Sequence, residues 1–454
     1  MARRVLALTL LLALSTCACA SESAYDKAWV SNELGRTAGH EVPVRDTPTR
    51  DGKGEFTPSI PKGVGAVNAL SEDDAVSVAL WNSVQFRADL AQLGLSRADL
   101  ADAAALPNPN LSFLFPISTR QFELSAQYPI SQLIQRPWRV AAAKYDVERM
   151  ARSIVQTGLD AVRDVRIAWA ELAAAKKRRA LRDRAREILE KSAELAASRF
   201  RNGDISRLES DLVRGEALAA AELAERSVRE EAIARTRFRQ IIGLATSPLG
   251  GNVDVRSSDV PLDAPREQGE LERVALASRP DLRAAELAIE AAGERVGLER
   301  ARIVQLFARL DAKPIGPAGG APVVWPPGVG GDIPIFNQNP GGRSRANAEL
   351  ERASWSYLVV RQQVVTDVRV AREELAMALA SRDVWSRTIV PLQETNVTSA
   401  THSYEAGGEA YLVVLEATRR LVDARLRELE LALDVARARA RLDRAVGWRI
   451  HASS

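Results

Sequence analysis

Gln121-Phe122-Glu123-Leu124-Ser125-Ala126-Gln127-Tyr128 alternates without a break between polar and apolar side chains. Phe122, Leu124, Ala126 and Tyr128 fall on one face and Gln121, Glu123, Ser125 and Gln127 on the other, a period of two that specifies a strand with one apolar and one polar face. The pattern returns far downstream, where Leu306, Ala308, Leu310 and Ala312 interleave with Phe307, Arg309, Asp311 and Lys313. Asn110 to Phe115 and Val323 to Ile333 read as weaker partner strands, the second loosened by Pro326, Pro327 and several glycines. A hairpin packed on a soluble core would account for one such face, but no other segment is apolar enough to bury them. Lipid outside and water inside accounts for both faces. Four strands cannot close a barrel, and open edges are not tolerated in lipid, so several copies of the chain must contribute strands.

The strands sit between long helices. From Trp138 to Phe200 there is no proline, and Val147, Ala151, Ile154, Gly158, Ala161, Val165, Ala168, Leu172 and Ala175 follow at steps of four and three, a heptad seam. After a phase slip at Lys176 to Arg179 the seam resumes at Leu181, Ala185, Ile188, Ser192 and Leu195. Val155, Val162 and Trp169 form a second stripe, so this helix has neighbours on two sides. At ~1.5 Å per residue the stretch is roughly 90 Å long, enough to cross much of a periplasm. Ala346, Leu350, Ala353, Tyr357, Val360 and Val364 make another seam, and Val422, Leu426, Leu429, Leu433, Ala436 and Ala440 a further one. Pro391 is expected to break or kink the helix in which it lies.

These parts come in two copies. Phe200-Arg201-Asn202-Gly203 returns as Tyr404-Glu405-Ala406-Gly407, Ile242-Gly243 as Val446-Gly447, and Tyr128-Pro129-Ile130 as Ile333-Pro334-Ile335. Phe86-Arg87-Ala88 matches Leu282-Arg283-Ala284. Each copy reads helix, two strands, a very long helix, a glycine turn, and a second long helix. In the first, Ser71 caps a helix that opens Glu72-Asp73-Asp74 and runs to about Leu106; in the second, Arg279-Pro280-Asp281 sits near the start of a helix reaching about Val304. The copies span 69–245 and 269–448, joined by a linker over 246–268 and preceded by a proline-rich extended tail over 21–68; residues 449–454 form a C-terminal tail.

Residues 1–20 have a basic start and an apolar run from Val5 to Leu14, a secretory signal too short to span a bilayer. Leu14-Ser15-Thr16-Cys17 resembles a lipoprotein box, Cys19 is a second lipidation candidate, and Ala18-Cys19-Ala20 offers ordinary cleavage; these readings stay open. The remaining chain has no cysteine, so packing must stabilise it. With 62 Lys and Arg against 59 Asp and Glu, the charges are interspersed and form no nucleic-acid patch.

In their order and spacing these features resemble the TolC-type outer-membrane factor family, over about Ala69 to Trp448. Phe200-Arg201-Asn202-Gly203 and Tyr404-Glu405-Ala406-Gly407 look like its hairpin turns, and Pro334-Ile335-Phe336-Asn337-Gln338-Asn339-Pro340-Gly341 is similar to its re-entry from strand to helix. The resemblance implies a mainly helical fold with a small β part: a homotrimer whose coiled-coil helices form an α-barrel and whose four strands per chain complete a twelve-stranded transmembrane barrel. It implies an outer-membrane location in a Gram-negative bacterium, contact with outer-membrane lipid, a periplasmic adaptor, an inner-membrane pump, and a tail wrapping the tunnel. Some features resemble the outer-membrane components of cobalt-zinc-cadmium resistance systems. Gly203 and Gly407 would then mark the periplasmic hairpin tips. Where relatives carry acidic aperture residues, this chain has Glu209 in the first hairpin and Val413 and Glu416 in the second.

No catalytic constellation is visible. His40, His402 and His451 are too scattered for a metal site, and the glycine-rich stretches lack a phosphate-loop Lys-Ser/Thr. The expectation is a passive conduit with no enzymatic activity and no cofactor. The competing reading is a periplasmic coiled-coil scaffold or adaptor without a pore, which would lack the alternating hairpins and the full duplication.

Overall fold

A computed structural model describes residues 23–40, 58–65, 67–115, 123–256, 266–314 and 323–450. Helices α1 (Lys27–Ala38), α2 (Glu72–Asn82) and α3 (Val84–Ala104) precede strands β1 (Asn110–Leu114) and β2 (Glu123–Tyr128). Then come the 73-residue α4 (Ile130–Asn202) and α5 (Arg207–Ile241), followed by α6 (Gln268–Ser278) and α7 (Pro280–Ala301). Strands β3 (Gln305–Pro314), β4 (Val323–Val324) and β5 (Pro327–Asp332) lead into α8 (Pro340–Val384), α9 (Val390–Glu405) and α10 (Tyr411–Val446). The chain divides into two compact units.

The first unit comprises Met1–Val30, Ala88–Ile154 and Pro280–Gln362 and holds the strands. They form one antiparallel sheet in the order β1-β2-β3, with β4 and β5 both on the far side of β3. The stretch read as one strand over Val323 to Ile333 is thus two pieces, separated at Trp325-Pro326, where proline has no N–H for the ladder. In the same unit α7 lies on α4 at Gly297, where any Cβ would strike the Trp138 indole. Arg295 pairs with Asp146, and Arg283 with Glu148 at 3.7 Å. Arg136 and Arg139 of α4 donate to the Ala104 and Ala103 carbonyls at 2.8 and 2.9 Å, closing the C-terminal end of α3.

The second unit comprises Ser31–Arg87, Val155–Arg279 and Gln363–Ser454. The helix expected from Ser71 to Leu106 is in fact two. Ser71 forms a full capping box with Asp74, but the backbone turns extended at Ser83, and α3 ends at Ala104. The second copy breaks in the same way at Arg279, with closely similar backbone angles. In each case the breaking residue's N–H still reaches the carbonyl four back, Ala79 or Ala275. Against each break sits a glycine at positive φ: Gly243 against Asn82, and Gly447 against Arg279. The linker is tied down as well, with Leu70 and Val255 in a parallel bridge and Lys176 2.8 Å from Asp254.

The tail expected to be extended contains α1. Asp26 Oδ1 accepts the Trp29 N–H at 2.8 Å at its start, and Val30, Leu34 and Ala38 recur at helical spacing and are buried. Leu34 fills the space that a Cβ at Gly158 would need, which explains the glycine on the α4 seam. His40, in that tail, is 6% exposed, with Nε2 3.2 Å from Asp73. The proximal seam and the Val155, Val162, Trp169 stripe are buried or half-buried, Trp169 donating to the Leu70 carbonyl at 3.0 Å. Beyond the phase slip Ala185 and Ser192 of the expected seam are buried, but Leu189 and Ala196 replace Ile188 and Leu195, which are exposed.

Pro391 does not break its helix. Trp385–Ile389 form a single π turn, and the Val390 N–H reaches back five residues to the Trp385 carbonyl. The wider turn makes room for the proline ring and the carbonyl it would otherwise strike, so helical dihedrals continue into α9.

Candidate functional site

Two regions carry the features expected of a duct. In the sheet, Leu111 and Phe113 of β1 face Ala126 and Leu124 of β2; Leu124, Ala126 and Tyr128 face Ala312, Leu310 and Ala308 of β3; and Ala308 and Leu306 face Val329 and Gly331 of β5. Directly opposed residues of an antiparallel pair present their side chains on one face, so the apolar sets of all these strands coincide. The opposite face gathers Ser112, Glu123, Ser125, Gln127, Gln305, Arg309, Asp311 and Asp332. Arg309 and Asp311 pair there at 2.7 Å. Phe307 intrudes on this polar face, and its ring covers Gly330, where a Cβ would lie only 2.5 Å away. Phe122, placed by the sequence on the apolar face, lies outside the described residues, as do Cys17 and Cys19. Among the described residues the outer edges of β1 and β5 have no strand beside them.

The second region is the pair of helix turns. Gly203 has φ +84° and Gly407 +77°. The Gly203 and Asp204 N–H groups donate to the Phe200 and Arg199 carbonyls, and Gly407 and Gly408 donate to Tyr404 and Ser403 in the same pattern. This is the closure that a left-handed residue permits at a helix end. Leu189, Ala196, Val213, Ala217, Ala220 and Leu415 form a core cluster, so α10 of the second hairpin packs on α4 and α5 of the first. Arg199 stacks over the Tyr404 ring at 5.0 Å, and Tyr404 meets Tyr411 edge-on.

The two aperture candidates have different partners. Glu209 is committed to a capping box: its carboxylate accepts the Ser206 N–H at 2.9 Å, and its own N–H donates to Ser206 Oγ. Arg207 pairs instead with Asp211 at 3.5 Å. Glu416 accepts from Arg420 at 2.9 Å. Both glutamates are exposed. The box was legible as Ser206-x-x-Glu209, a capping signature as much as an aperture signature.

Sequence reading missed a buried ionic network in the second unit. Arg279, 2% exposed, donates to Asp367 Oδ2 at 2.9 Å; Arg444 bridges Asp367 at 3.1 Å and Asp160 at 2.6 Å. Burial alone would raise the Asp367 pKa, but hydrogen bonds from Arg279 and Gln363 and the two arginine charges hold it below the usual carboxylate value. Arg166 joins Glu72 and Asp443 nearby, and there burial prevails, pushing the Glu72 carboxyl up. Among the described residues no group of three or more His, Cys, Asp or Glu is placed to hold a metal ion, and no helix is long and apolar enough to cross a membrane.

A duplicated helical-hairpin chain with such a two-faced sheet has the layout of an outer-membrane channel protomer. Residues 324–448 match the model of the outer membrane efflux protein family. The cobalt-zinc-cadmium resistance protein CzcC of Cupriavidus metallidurans is 28% identical over 395 residues, 84% of this chain and 91% of that protein. The outer membrane protein VceC of Vibrio cholerae superposes with a TM-score of 0.71 at 18% identity, covering 84% of this chain and 97% of that one. A membrane protein from Pseudomonas aeruginosa gives the same TM-score and identity over 89% and 99%. Over residues 324–448 the chain carries the outer membrane efflux protein domain, and along most of its length it is similar to CzcC.

Proposed function

We propose that this chain is the outer-membrane channel subunit of a tripartite efflux system, a passive conduit from periplasm to exterior. The observation that carries the reading is the sheet register: apart from Leu114 and Phe307, the large apolar residues of β1, β2, β3 and β5 share one face, and among the described residues both sheet edges are left open. In lipid an open edge must be paired, and three copies at four strand positions each close a barrel wide enough for a lumen. The apolar face then meets outer-membrane lipid, and Glu123, Gln127 and Arg309 face water. The energy comes from an inner-membrane pump acting through a periplasmic adaptor. The match of residues 324–448 to the outer membrane efflux protein model supports a channel over an enzyme. No observation favours the scaffold reading.

Gly203 and Gly407 are the periplasmic tips in this account, and Glu209 and Glu416 stand near the entrance. The cargo we favour is a divalent transition-metal cation, supported by the likeness to CzcC across nearly its whole length. The mass of the detergent-purified protein tests the assembly: three times the chain is expected, and a well-folded monomer would contradict it. Deleting the gene and comparing sensitivity to cobalt, zinc and cadmium with that to solvents and antibiotics tests the cargo.

A further inference from the structure

Exposed apolar residues continue past the end of β5. In β5 the odd positions Pro327, Val329 and Gly331 lie on the apolar face, Ile333 is the next position in that series beyond Asp332, and Ile335 follows across a tight turn. Phe336 follows at the apex of this segment and is 99% exposed. The segment is held in place at both ends. The Ile335 N–H donates to the Ile333 carbonyl at 2.8 Å, closing a tight turn around Pro334. Asn339 then takes φ +54°, the only non-glycine at positive φ among the described residues, and its Nδ2 donates to Glu299 Oε2 at 2.7 Å. Asn339 Oδ1 accepts the Gly342 N–H at 3.2 Å, capping α8, and a Cβ at Gly342 would collide with this clamp.

The first copy carries a related feature at the matching place. Ile130, the counterpart of Ile335, opens α4, and one turn later Leu133 and Ile134 are exposed. Basic residues come next in the second copy: Arg343 and Arg345 stand exposed in the first two turns of α8, which has no acidic residue in its first turn. Cations at a helix N-terminus oppose the helix dipole, so this placement serves something outside the helix. Apolar and aromatic side chains followed by arginines a few residues on are the arrangement of a membrane-water boundary, with arginine at headgroup depth.

We propose that Ile333, Ile335 and Phe336, with Leu133 and Ile134 of the first copy, form an anchor embedded in the phospholipid of the periplasmic leaflet where the strands give way to helices. The anchor rests on the outer-membrane channel reading and adds to it a fixed depth for the barrel. Arg343 and Arg345 would meet the lipid phosphates.

The test is a spin label at Phe336→Cys in the full chain, reconstituted in phospholipid vesicles, with a label at Asp332→Cys on the polar face for comparison. The wild-type chain labelled in parallel gives the background from any signal-segment thiol. The expected result at position 336 is faster collision with oxygen than with a water-soluble nickel chelate, and the reverse at position 332. Nickel access at 336 equal to that at 332 would place Phe336 in water and overturn the anchor. Access to neither reagent would mean that a neighbouring copy or another protein covers the site, and would overturn it as well. Ion conductance of the same vesicle preparation separates the two readings: conductance with a water-exposed label removes the anchor alone, while absence of conductance removes the channel.

Discussion

Ser83 and Arg279 occupy the same place in the two copies of the duplicated chain, and the difference between them shows how one backbone can be secured by two chemistries. Both break a helix with closely similar backbone dihedrals, and both are backed by a positive-φ glycine. In the first copy the break is sealed by a neutral amide: Asn82 is fully buried, its Nδ2 donates to the Ser59 and Val78 carbonyls, and its Oδ1 accepts the Ser59 N–H. In the second it is sealed by the Arg279–Asp367–Arg444 ion network. Neutral hydrogen bonds are indifferent to acid, whereas an ion network holds only while its carboxylate is charged.

Removing the charge from one copy is therefore the largest expected effect. Asp367→Asn leaves a buried guanidinium without its carboxylate and should cost about 3 to 5 kcal/mol, against about 1 to 3 kcal/mol for Asn82→Ala in the first copy. Thermal unfolding in detergent measures both. The pH dependence has a definite sign. The Asp367 pKa is lowered in the fold, so its stabilisation is fully present above the ordinary value of 3.8 and is lost as pH falls from there through the lowered value. Wild type should lose stability across that acid window and Asp367→Asn should lose less; parallel curves would sink the assignment.

The sheet is where the copies agree, since β2 and β3 share their apolar face. Leu124→Arg, and likewise Leu310→Arg, should cost roughly 2 to 4 kcal/mol near the bilayer midplane, while Gln127→Arg on the opposite face should be nearly silent for insertion. Equal amounts of all three in the outer membrane would show the faces to be wrongly assigned.

The glycines give a finer comparison. Gly243→Ala incurs about 1 to 2 kcal/mol for its left-handed backbone and, in addition, a clash with the Asn82 carbonyl oxygen at 2.8 Å. Gly447→Ala meets the Arg279 side chain at 3.0 Å, and Gly203→Ala and Gly407→Ala meet nothing. Melting temperatures should fall in that order, Gly243→Ala lowest. An equal loss at all four positions would leave backbone conformation as the sole cause.

The smallest effect concerns the hairpin starts. Ser206 and Glu209 cap α5, but Ala410 and Val413 at the corresponding positions leave α10 without a side-chain cap. Ser206→Ala should cost about 1 kcal/mol, and Ala410→Ser should stabilise by up to a similar amount. Hydrogen exchange at the two turns reads each change locally.

How much of this was legible depends on whether a feature is periodic. The sheet faces, the proximal α4 seam and the repeat are periodic, and the sequence shows them directly. The break at Ser83 is not: Asn82-Ser83 interrupts no apolar pattern, and the bend is fixed largely by long-range partners, the bonds of Asn82 to Ser59 and the packing of Gly243 on Asn82. Helix α1 was hidden by the prolines that follow it, although Val30, Leu34 and Ala38 carry a helical spacing. The Arg279 network joins positions 160, 279, 367 and 444, which no local window connects. The π turn shows in the sequence only as Pro391, which signals a disturbance without saying which kind.

The central claim is that copies of this sheet close around water. Single-channel recording of the purified protein in planar bilayers tests it most directly, with Glu209→Gln/Glu416→Gln as the companion variant. Discrete open steps are expected, preferring cations at low salt, with the preference reduced in the double variant. A folded trimer that inserts and yet carries no current would contradict the account.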